Sequence, residues 1–527
     1  MLGGVTRLAA LPAALALTAL LSACVPPAAP ELPLLTTLNF TAYDAQQATL
    51  GLRAGKSQKL SLDAEPEYIA VSADSRRAYV TLQESNAVAT VDLTRGEIVA
   101  LKSLGYKNHT LAANAFDASD RDGGVNLKTW PVLGAYMPDA IASLSVGGRT
   151  YLLTANEGDT RDYGAAYLDE VKVSGLTLDA AAFPNGAALK ADAALGRLVV
   201  SKPDADTDGD GDADRLVAFG ARSLSVWNAD LGLVADTGNL FEAKTAELSA
   251  SSFNSNGTAS TFDTRSDNKG PEPEGVATGV VAGRTLAFVG LERTGGLMVL
   301  DVSTPAAPAF VDYRHTVTPA ADPKSGLAGD LAPEGLLFIP AADSPSGKAL
   351  LVASHEVSGS VTVYAVEDSG KLTLAGRYQA NPYAYDQGVA EISAYDKGSK
   401  QLFVVNGGTG SLDILNLADV AQPRFVKSVS LSAYGRSANS VAVSGGVVAV
   451  AVEASTKTDP GKVAFLNPDG TERAPAIAVG AQPDMLTFSP DGKLLLVANE
   501  GEPSADYSVD PAGSVSLINV NMALTAR

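Results

Sequence analysis

One cysteine in 527 residues excludes any disulfide within the chain. Three histidines, His109, His315 and His355, are too few for a His-rich zinc centre. Aromatic residues make up only 6% of the chain, which argues against a sugar-stacking platform. No GxSxG elbow presents an activated serine, and no segment sustains helical periodicity over several turns. The one apolar run, Leu8 to Leu20, is too short to span a bilayer as a permanent helix. Basic side chains are also scarce. Against 59 Asp and Glu stand 39 Lys and Arg, a net charge of -20. That balance disfavours nucleic acid and anionic lipid surfaces as partners, and it favours solubility or cation binding.

What is present begins with an address. Arg7 precedes the apolar run, which ends in Leu21-Ser22-Ala23-Cys24. This resembles a bacterial lipobox, with residues 1–23 as a lipoprotein signal peptide and Cys24 as the lipidated first residue of the mature chain. An ordinary signal peptide that happens to contain a cysteine is the alternative. Residues 24–34, rich in Pro and Ala, read as a tether. Residues 35–527 then form the globular part, held at the cell envelope on the extracytoplasmic side.

The globular part repeats itself. Its clearest unit runs from Gln482 to Val520. Pro483-Asp484 leads into an apolar run, Ser489-Pro490-Asp491-Gly492 makes a turn, a second run ends in Asn499-Glu500, and Ser514 to Val520 follows. Short β-rich runs between Pro, Asp and Gly punctuation are antiparallel hairpins. Comparable openings occur at Pro66-Glu67, Pro138-Asp139, Pro273-Glu274, Pro333-Glu334, Ala390-Glu391 and Ala438-Asn439. Most lie about 45 to 72 residues apart, but about 135 separate Pro138 from Pro273. The long module is read as one unit split between its second and third strands by an insertion at 158–222. An eighth module over Leu195 to Gly238 is the alternative.

Four-stranded modules at this spacing predict an all-β, seven-bladed β-propeller, or eight blades on the alternative reading. The last module has three strands. The segment Gln58 to Asp63, directly ahead of the first opening, is expected to supply its fourth and so close the ring without an open edge.

Several long motifs carry a resemblance: NEGDTRDYG (156–164), DTDGDGDAD (206–214), FGARSLSVW (219–227), DNKGPEPEGV (267–276) and PDMLTFSPDGKLLLVANEGEP (483–503). Over residues 35 to 520 the chain resembles the choice-of-anchor I family of bacterial extracytoplasmic β-propellers. The resemblance implies a fold and a location but no common reaction, although some members are labelled phosphatase-like or phytase-like. AEISAYD (390–396), which usually comes first in the family, here follows VSGSVTVYAV (357–366), so the order looks circularly permuted.

Two sets of acids recur at equivalent places. Glu67, Asp139, Glu274, Glu334, Glu391 and Asp484 follow the openings, with Asn439 the exception. Glu84, Glu157, Glu292, Glu356, Glu453 and Glu500 close the second strands, with Gly407 the exception. In a propeller both positions lie on one face, so two rings of carboxylates are expected at one mouth of the channel. Like charges that close raise one another's pKa or require a cation, for which Ca2+ with oxygen ligands is the simplest. The alternative is that each acid caps a turn and the ring is solvated. Within the insertion, Asp204, Asp206, Asp208, Asp210, Asp212 and Asp214 alternate with small residues in the manner of a calcium loop, without the Glu of a complete EF-hand. Loops at 109–130, with Asp117, Asp120, Arg121 and Asp122, and at 263–269 are expected over the same face, with Arg161 and Arg222 flanking the insertion. Arg222 among carboxylates and calcium would clamp a phosphate; pairing with the acidic rings is the alternative. Two functions follow: a lipid-anchored, calcium-ordered propeller that binds an envelope protein or a small anionic or phosphorylated ligand, or a calcium-dependent phosphoester hydrolase.

Overall fold

In the computed structural model, residue 1 and residues 31–526 are described. Cys24 and the leader and tether lie outside them. The described residues contain seven four-stranded antiparallel sheets and one five-stranded sheet. Strands Pro66–Val71, Arg77–Leu82, Ala87–Asp92 and Glu97–Ser103 form the first blade. Blades three to six have the same plan, each starting at its innermost strand: Pro273–Val281, Pro333–Ile339, Ser393–Asp396 and Ser437–Ser444. Consecutive first strands touch in cyclic order, and Pro483–Phe488 of the last blade touches Pro66–Val71 of the first.

A separate apolar cluster fills each gap between neighbouring blades. Leu412 and Ile414 meet Val448 and Val450 between the fifth and sixth, for example, and Leu496 and Leu517 meet Ile69 and Val80 where the ring closes. Apolar side chains on both faces of the blades build these layers, so the ring is held by burial on both sides of each sheet.

The closure differs from the sequence expectation. The strand that completes the last blade is Leu35–Asn39, paired antiparallel with Ser514–Asn519 in the register Leu35 to Ile518 and Asn39 to Ser514. Residues 58–63 do not pair there; Leu60–Asp63 form one helical turn. Local chemistry explains the outcome. The Asp63 carboxylate accepts the N–H groups of Gly55 and Ser57, and Asp44 accepts both the N–H and the hydroxyl of Ser61. These bonds offer the backbone an alternative to a ladder, while Leu60 is buried in the cluster at the closure.

The second blade is the split one. Ile141–Val146 and Arg149–Ala155 are joined by Leu224–Asn228 and Leu233–Asp236, so Leu195 to Gly238 does not form a blade of its own. The insertion instead contributes Glu170–Lys172, Val199–Ser201 and Val217–Ala218 to the five-stranded sheet, whose other strands, Tyr106–Asn108 and Leu133–Ala135, flank the loop after the first blade. Two glycines allow the insertion to leave and rejoin its blade. A Cβ on Gly158 would stand 2.1 Å from Gly220 N, and one on Gly220 would stand 2.0 Å from the Glu157 carbonyl oxygen. Both have positive φ, 89° and 75°, and the two backbones pass where only glycine fits. The NEG and FGA motifs are the two halves of this crossing.

Buried arginines staple the insertion to the ring. Arg53 pairs with Asp169 at 3.0 Å and Asp204 at 2.6 Å. Arg161, fully enclosed, pairs with Glu65 at 3.3 Å and donates to the carbonyls of Asp63 and Glu84.

Candidate functional site

The openings share a backbone device that positions their acids. In five blades the residue before the proline has a positive φ: Glu65 at 42°, Met137 at 41°, Glu272 at 52°, Ala332 at 55° and Gln482 at 49°. The ladder then skips between Pro66 and Ile69, Pro273 and Val276, Pro333 and Leu336, and Pro483 and Leu486. A bulge re-aims the side chain it contains; here that side chain is the acid. Backbones crowd at the centre as a result, and a Cβ on Gly275 would stand 2.2 Å from the Glu334 carbonyl oxygen.

These acids line one cavity of about 460 Å³. From the openings come Glu67, Asp139, Glu274, Glu334 and Asp484, and from the ends of second strands Glu84, Glu157, Glu292, Glu356 and Glu500. Asp159 and Glu502 add to them, making twelve carboxylates, while among the described residues Lys269 and Arg293 are the cations of the wall. Glu391 is set back from the wall with its carboxylate against Gly388 and Gly407. Glu453 stands apart: it turns to Arg436, which donates at 2.9 Å. Asn439 lines the cavity and donates to the Pro483 carbonyl at 3.2 Å.

Crowding and burial raise the affinity of these groups for protons. Burial first, then Glu500 and Glu84, hold Glu67 well above the usual carboxylate range. Burial and Glu391 do the same for Glu334, and burial and Asp484 for Glu500. Burial together with Glu356 and Asp484 moves Glu391 to about 8, and burial moves Asp484 to about 7. Oε2 of Glu84, Glu274 and Glu334 is enclosed without a hydrogen-bond partner.

The wall is divided. On one part, Glu157 and Glu292 of the wall and the neighbouring Glu272 bring three oxygens within 4.8 Å of one another, and cations meet them. Lys269 Nζ is 2.7 Å from Glu157 and 3.6 Å from Glu272, Arg293 is 2.8 Å from Glu292, and Arg265 pairs with Glu272. On another part, Glu67, Asp484 and Glu500 make an equally close trio. Among the described residues no Lys or Arg pairs with these three.

Arg222 is not at the mouth. Its buried guanidinium donates to Glu242 and to the carbonyls of Asp117, Ser266 and Asn268, and it covers the Phe116 ring at 4.5 Å. Four carbonyl and carboxylate acceptors within reach outcompete a wet channel. Of the loops expected over the mouth, the insertion contributes Asp159 and the 263–269 segment contributes Lys269 to the wall, while residues 109–130 contribute no lining residue.

The aspartate run of the insertion is partly gathered. Asp206, Asp208 and Asp210 present three oxygens within 4.8 Å at the surface. Asp204 is turned inward to Arg53, Asp214 accepts the N–H and hydroxyl of Thr207, and Asp212 is absent from the trio. The histidines are dispersed; burial and Lys107 lower His109 to about 3, and His355, bonded to Thr362, falls to about 4 through burial.

Glu272, Arg293 and Asp159 were not singled out from sequence. A signal existed: Glu-Pro-Glu occurs at 65–67 and again at 272–274, and in both the first Glu takes an arginine.

A ring of four-stranded antiparallel blades around an acidic axial cavity makes this a β-propeller. The chain belongs to the choice-of-anchor I family: that domain matches residues 30–305 and 391–525. Family membership goes with an extracytoplasmic or cell-surface place. Gigasin-3a of Magallana gigas is 31% identical over 189 residues, 33% of this chain and 66% of that protein. The mesenchyme-specific cell surface glycoprotein of Strongylocentrotus purpuratus is 29% identical over 292 residues, 48% of this chain and 37% of that protein. The chain thus spans less than two thirds of each relative. Among solved structures, the periplasmic gluconolactonase PpgL of Pseudomonas aeruginosa has a TM-score of 0.42 at 15% identity, covering 79% of this chain and 86% of its own. The Cps50 (Swd1) β-propeller domain of Myceliophteria thermophila has 0.39 at 11%, covering 86% and 96%. Likenesses that distant carry no argument about function.

Proposed function

We propose that this protein is a lipid-anchored cell-envelope propeller that holds Ca2+ in its acidic cavity and uses it to bind a small anionic, phosphate-bearing ligand. The observation that carries the reading is the division of the wall. Among the described residues no Lys or Arg pairs with the Glu67, Asp484 and Glu500 trio, and ionised carboxylates that close are costly to bury without a partner. Ca2+ suits three hard oxygen donors and leaves coordination positions open. Lys269 and Arg293 line the same cavity and would meet the ligand's remaining charge. A neighbouring cavity of about 370 Å³, which shares Glu292 and Arg293, gives room for a larger ligand. The lipid on Cys24 would hold the site at the membrane. An extracytoplasmic place suits Ca2+ binding of modest affinity, and the sea-urchin relative's name also puts it at a cell surface.

Calorimetric titration of chelator-treated protein with Ca2+, then with inorganic phosphate, tests this. Glu67→Gln with Glu500→Gln should remove a Ca2+ binding event, and phosphate heat should depend on Ca2+. Equal heats in wild type and variant would reject the reading. The presence of Lys269 and Arg293 beside a metal-competent trio also favours a second reading, a calcium-dependent phosphoester hydrolase in which Ca2+ activates water. Turnover of p-nitrophenyl phosphate that needs Ca2+ and is lost in Glu500→Gln would establish it; binding without turnover would leave the first.

A further inference from the structure

Away from the cavity, loop 117–127 and the segment 263–270 bring another acidic cluster together inside the protein. The loop is closed at its base by a bridge between Phe116 and Lys128. It wraps around one carboxylate: Asp117 Oδ2 accepts the Asn126 N–H at 2.5 Å, and Oδ1 accepts the Ser119 N–H at 3.3 Å. Asp263 starts a tight turn, where its Oδ1 accepts from the Ser266 hydroxyl at 2.6 Å. Arg222 ties the two segments by donating to the Asp117 carbonyl and to those of Ser266 and Asn268. Asp117, Asp122 and Asp263 each supply a carboxylate oxygen to a trio within 4.8 Å.

The cluster is dry. Asp117 is 0% and Asp263 4% exposed, and the Asp122 side chain is 5% exposed. Its neutralisation by the protein is incomplete. Arg222 reaches carbonyls and Glu242 rather than these carboxylates. The ammonium that does approach, Lys128, is 3.5 Å from Asp122 Oδ2. Asp122 Oδ1 is enclosed and has no hydrogen-bond partner. A buried carboxylate oxygen with no partner, in a trio of carboxylates, is costly unless something outside the chain meets it. The close trio and the enclosed, unpartnered Asp122 Oδ1 leave a place that a cation would fill.

We propose that Asp117, Asp122 and Asp263 form a buried site for a hard divalent cation, Ca2+, which locks loop 117–127 onto the segment 263–270. The donor set is all carboxylate, without the Cys or His that Zn2+ favours. Three donors leave carbonyls and water to complete a shell of about six to eight oxygens. A cation also explains why the loop folds around its own aspartate although the charges repel. The site is separate from the axial cavity and from the exposed Asp206, Asp208 and Asp210 trio, so it would survive the loss of either.

One of the chain's two tryptophans makes the site addressable. Lys128 Nζ, 3.5 Å from Asp122 Oδ2, is 6.0 Å from the centroid of the Trp130 ring. Tb3+ takes the same oxygen shells as Ca2+ and luminesces when an excited indole is close. In the chelator-treated full chain, emission excited through tryptophan should appear on adding Tb3+ and fall on adding Ca2+. It should be lost in Trp130→Phe, weaken at least about tenfold in affinity in Asp122→Asn because one charged ligand is gone, and persist in Asp208→Asn and in Glu500→Gln. No emission from wild type, full emission from Trp130→Phe, or unweakened binding by Asp122→Asn would overturn the proposal. Should Asp122→Asn not fold, hydrogen exchange of the wild type decides. Ca2+ should slow exchange in 117–127 and 263–270 relative to chelator, and equal exchange would mean that protons alone neutralise the cluster.

Discussion

Lys269 Nζ donates to Glu157 Oε1 at 2.7 Å, joining the segment before the third blade to the end of a strand in the second. Burial works against this ammonium, but Glu157, Glu272 and Asp159 together hold its pKa well above the ordinary lysine value. Removing it leaves Glu157 without a cationic partner, with only the Gln83 amide still donating to it, while Glu272 keeps Arg265. Lys269→Met should therefore cost on the order of 3 kcal/mol at pH 7.5, since breaking a buried pair strands the other charge. The penalty should shrink as pH falls and Glu157, whose pKa is already raised by burial, takes up a proton. Urea unfolding of both proteins at pH 7.5 and pH 5 measures it. A penalty that is equal at the two pH values would show that packing, not charge, is what Lys269 supplies.

The cavity sets a sign for the pH dependence of the whole ring. Glu391 titrates at about 8 and Asp484 at about 7 in the fold, against about 4 for both in an unfolded chain. Between those values the folded state binds more protons than the unfolded one, so stability falls as pH rises from about 4 to about 8 and is level above. Each such group contributes on the order of 1 kcal/mol per pH unit inside its window. Metal-free protein should thus melt at a higher temperature at pH 5.5 than at pH 8, and Ca2+ should raise the pH 8 value most. Asp484→Asn with Glu391→Gln should flatten the slope. Stability that rises with pH in the presence of chelator would contradict the crowded cavity.

The openings of the blades were legible because Pro followed by an acid recurs where period-2 apolar runs begin. The convergence of those acids followed from repetition alone. What could not be read was long-range. The two-residue strand Val217–Ala218 pairs in parallel with Leu133–Gly134, and nothing local marks either segment. Residues 58–63 were placed in the ring by position, whereas the hydrogen bonds of Asp44 and Asp63 decide for a helical turn. Arg222 was assigned to the channel from its sequence neighbours, but the carbonyls that hold it come from residues 117, 266 and 268. Asp204 was counted with the calcium loop because it keeps the alternation; its partner Arg53 lies far away in sequence.

The glycine crossing gives a sharp test of how the insertion is attached. Gly220→Ala would place a methyl 2.0 Å from the Glu157 carbonyl oxygen, and Gly158 N is only 3.1 Å from the same point. Backbone on both sides cannot yield cheaply, and the positive φ adds strain. We expect a loss of about 3 kcal/mol or more, with residues 158–222 becoming open to protease before the ring unfolds. Gly209→Ala, in the exposed aspartate loop, has open space around its Cβ. It keeps only the penalty of its φ of 84°, on the order of 1 kcal/mol. Comparable losses from the two would mean that the crossing is not as tight as described.

The closure strand supplies the last test. Leu35–Asn39 covers the edge of Ser514–Asn519, and Asn519 reinforces it by donating from Nδ2 to the Leu32 carbonyl and from its N–H to the Leu34 carbonyl, both at 3.0 Å. Phe40, fully buried, anchors the strand's end among Leu496, Leu517 and Val80 of the two blades that meet there. Phe40→Ala should cost about 3 to 5 kcal/mol through the cavity it leaves. Removing residues 31–40 should do more. It exposes the backbone donors and acceptors of Ser514–Asn519 as an unpaired edge, a template for pairing with another chain. The truncated protein should therefore melt earlier and also grow in size with concentration, as analytical ultracentrifugation would record. Removal of the Ser61 hydroxyl, which touches only Asp44 at the helical turn, should leave solution size unchanged. If the truncated chain kept both its melting temperature and its size, Leu35–Asn39 would be an ornament on a ring already closed by other means.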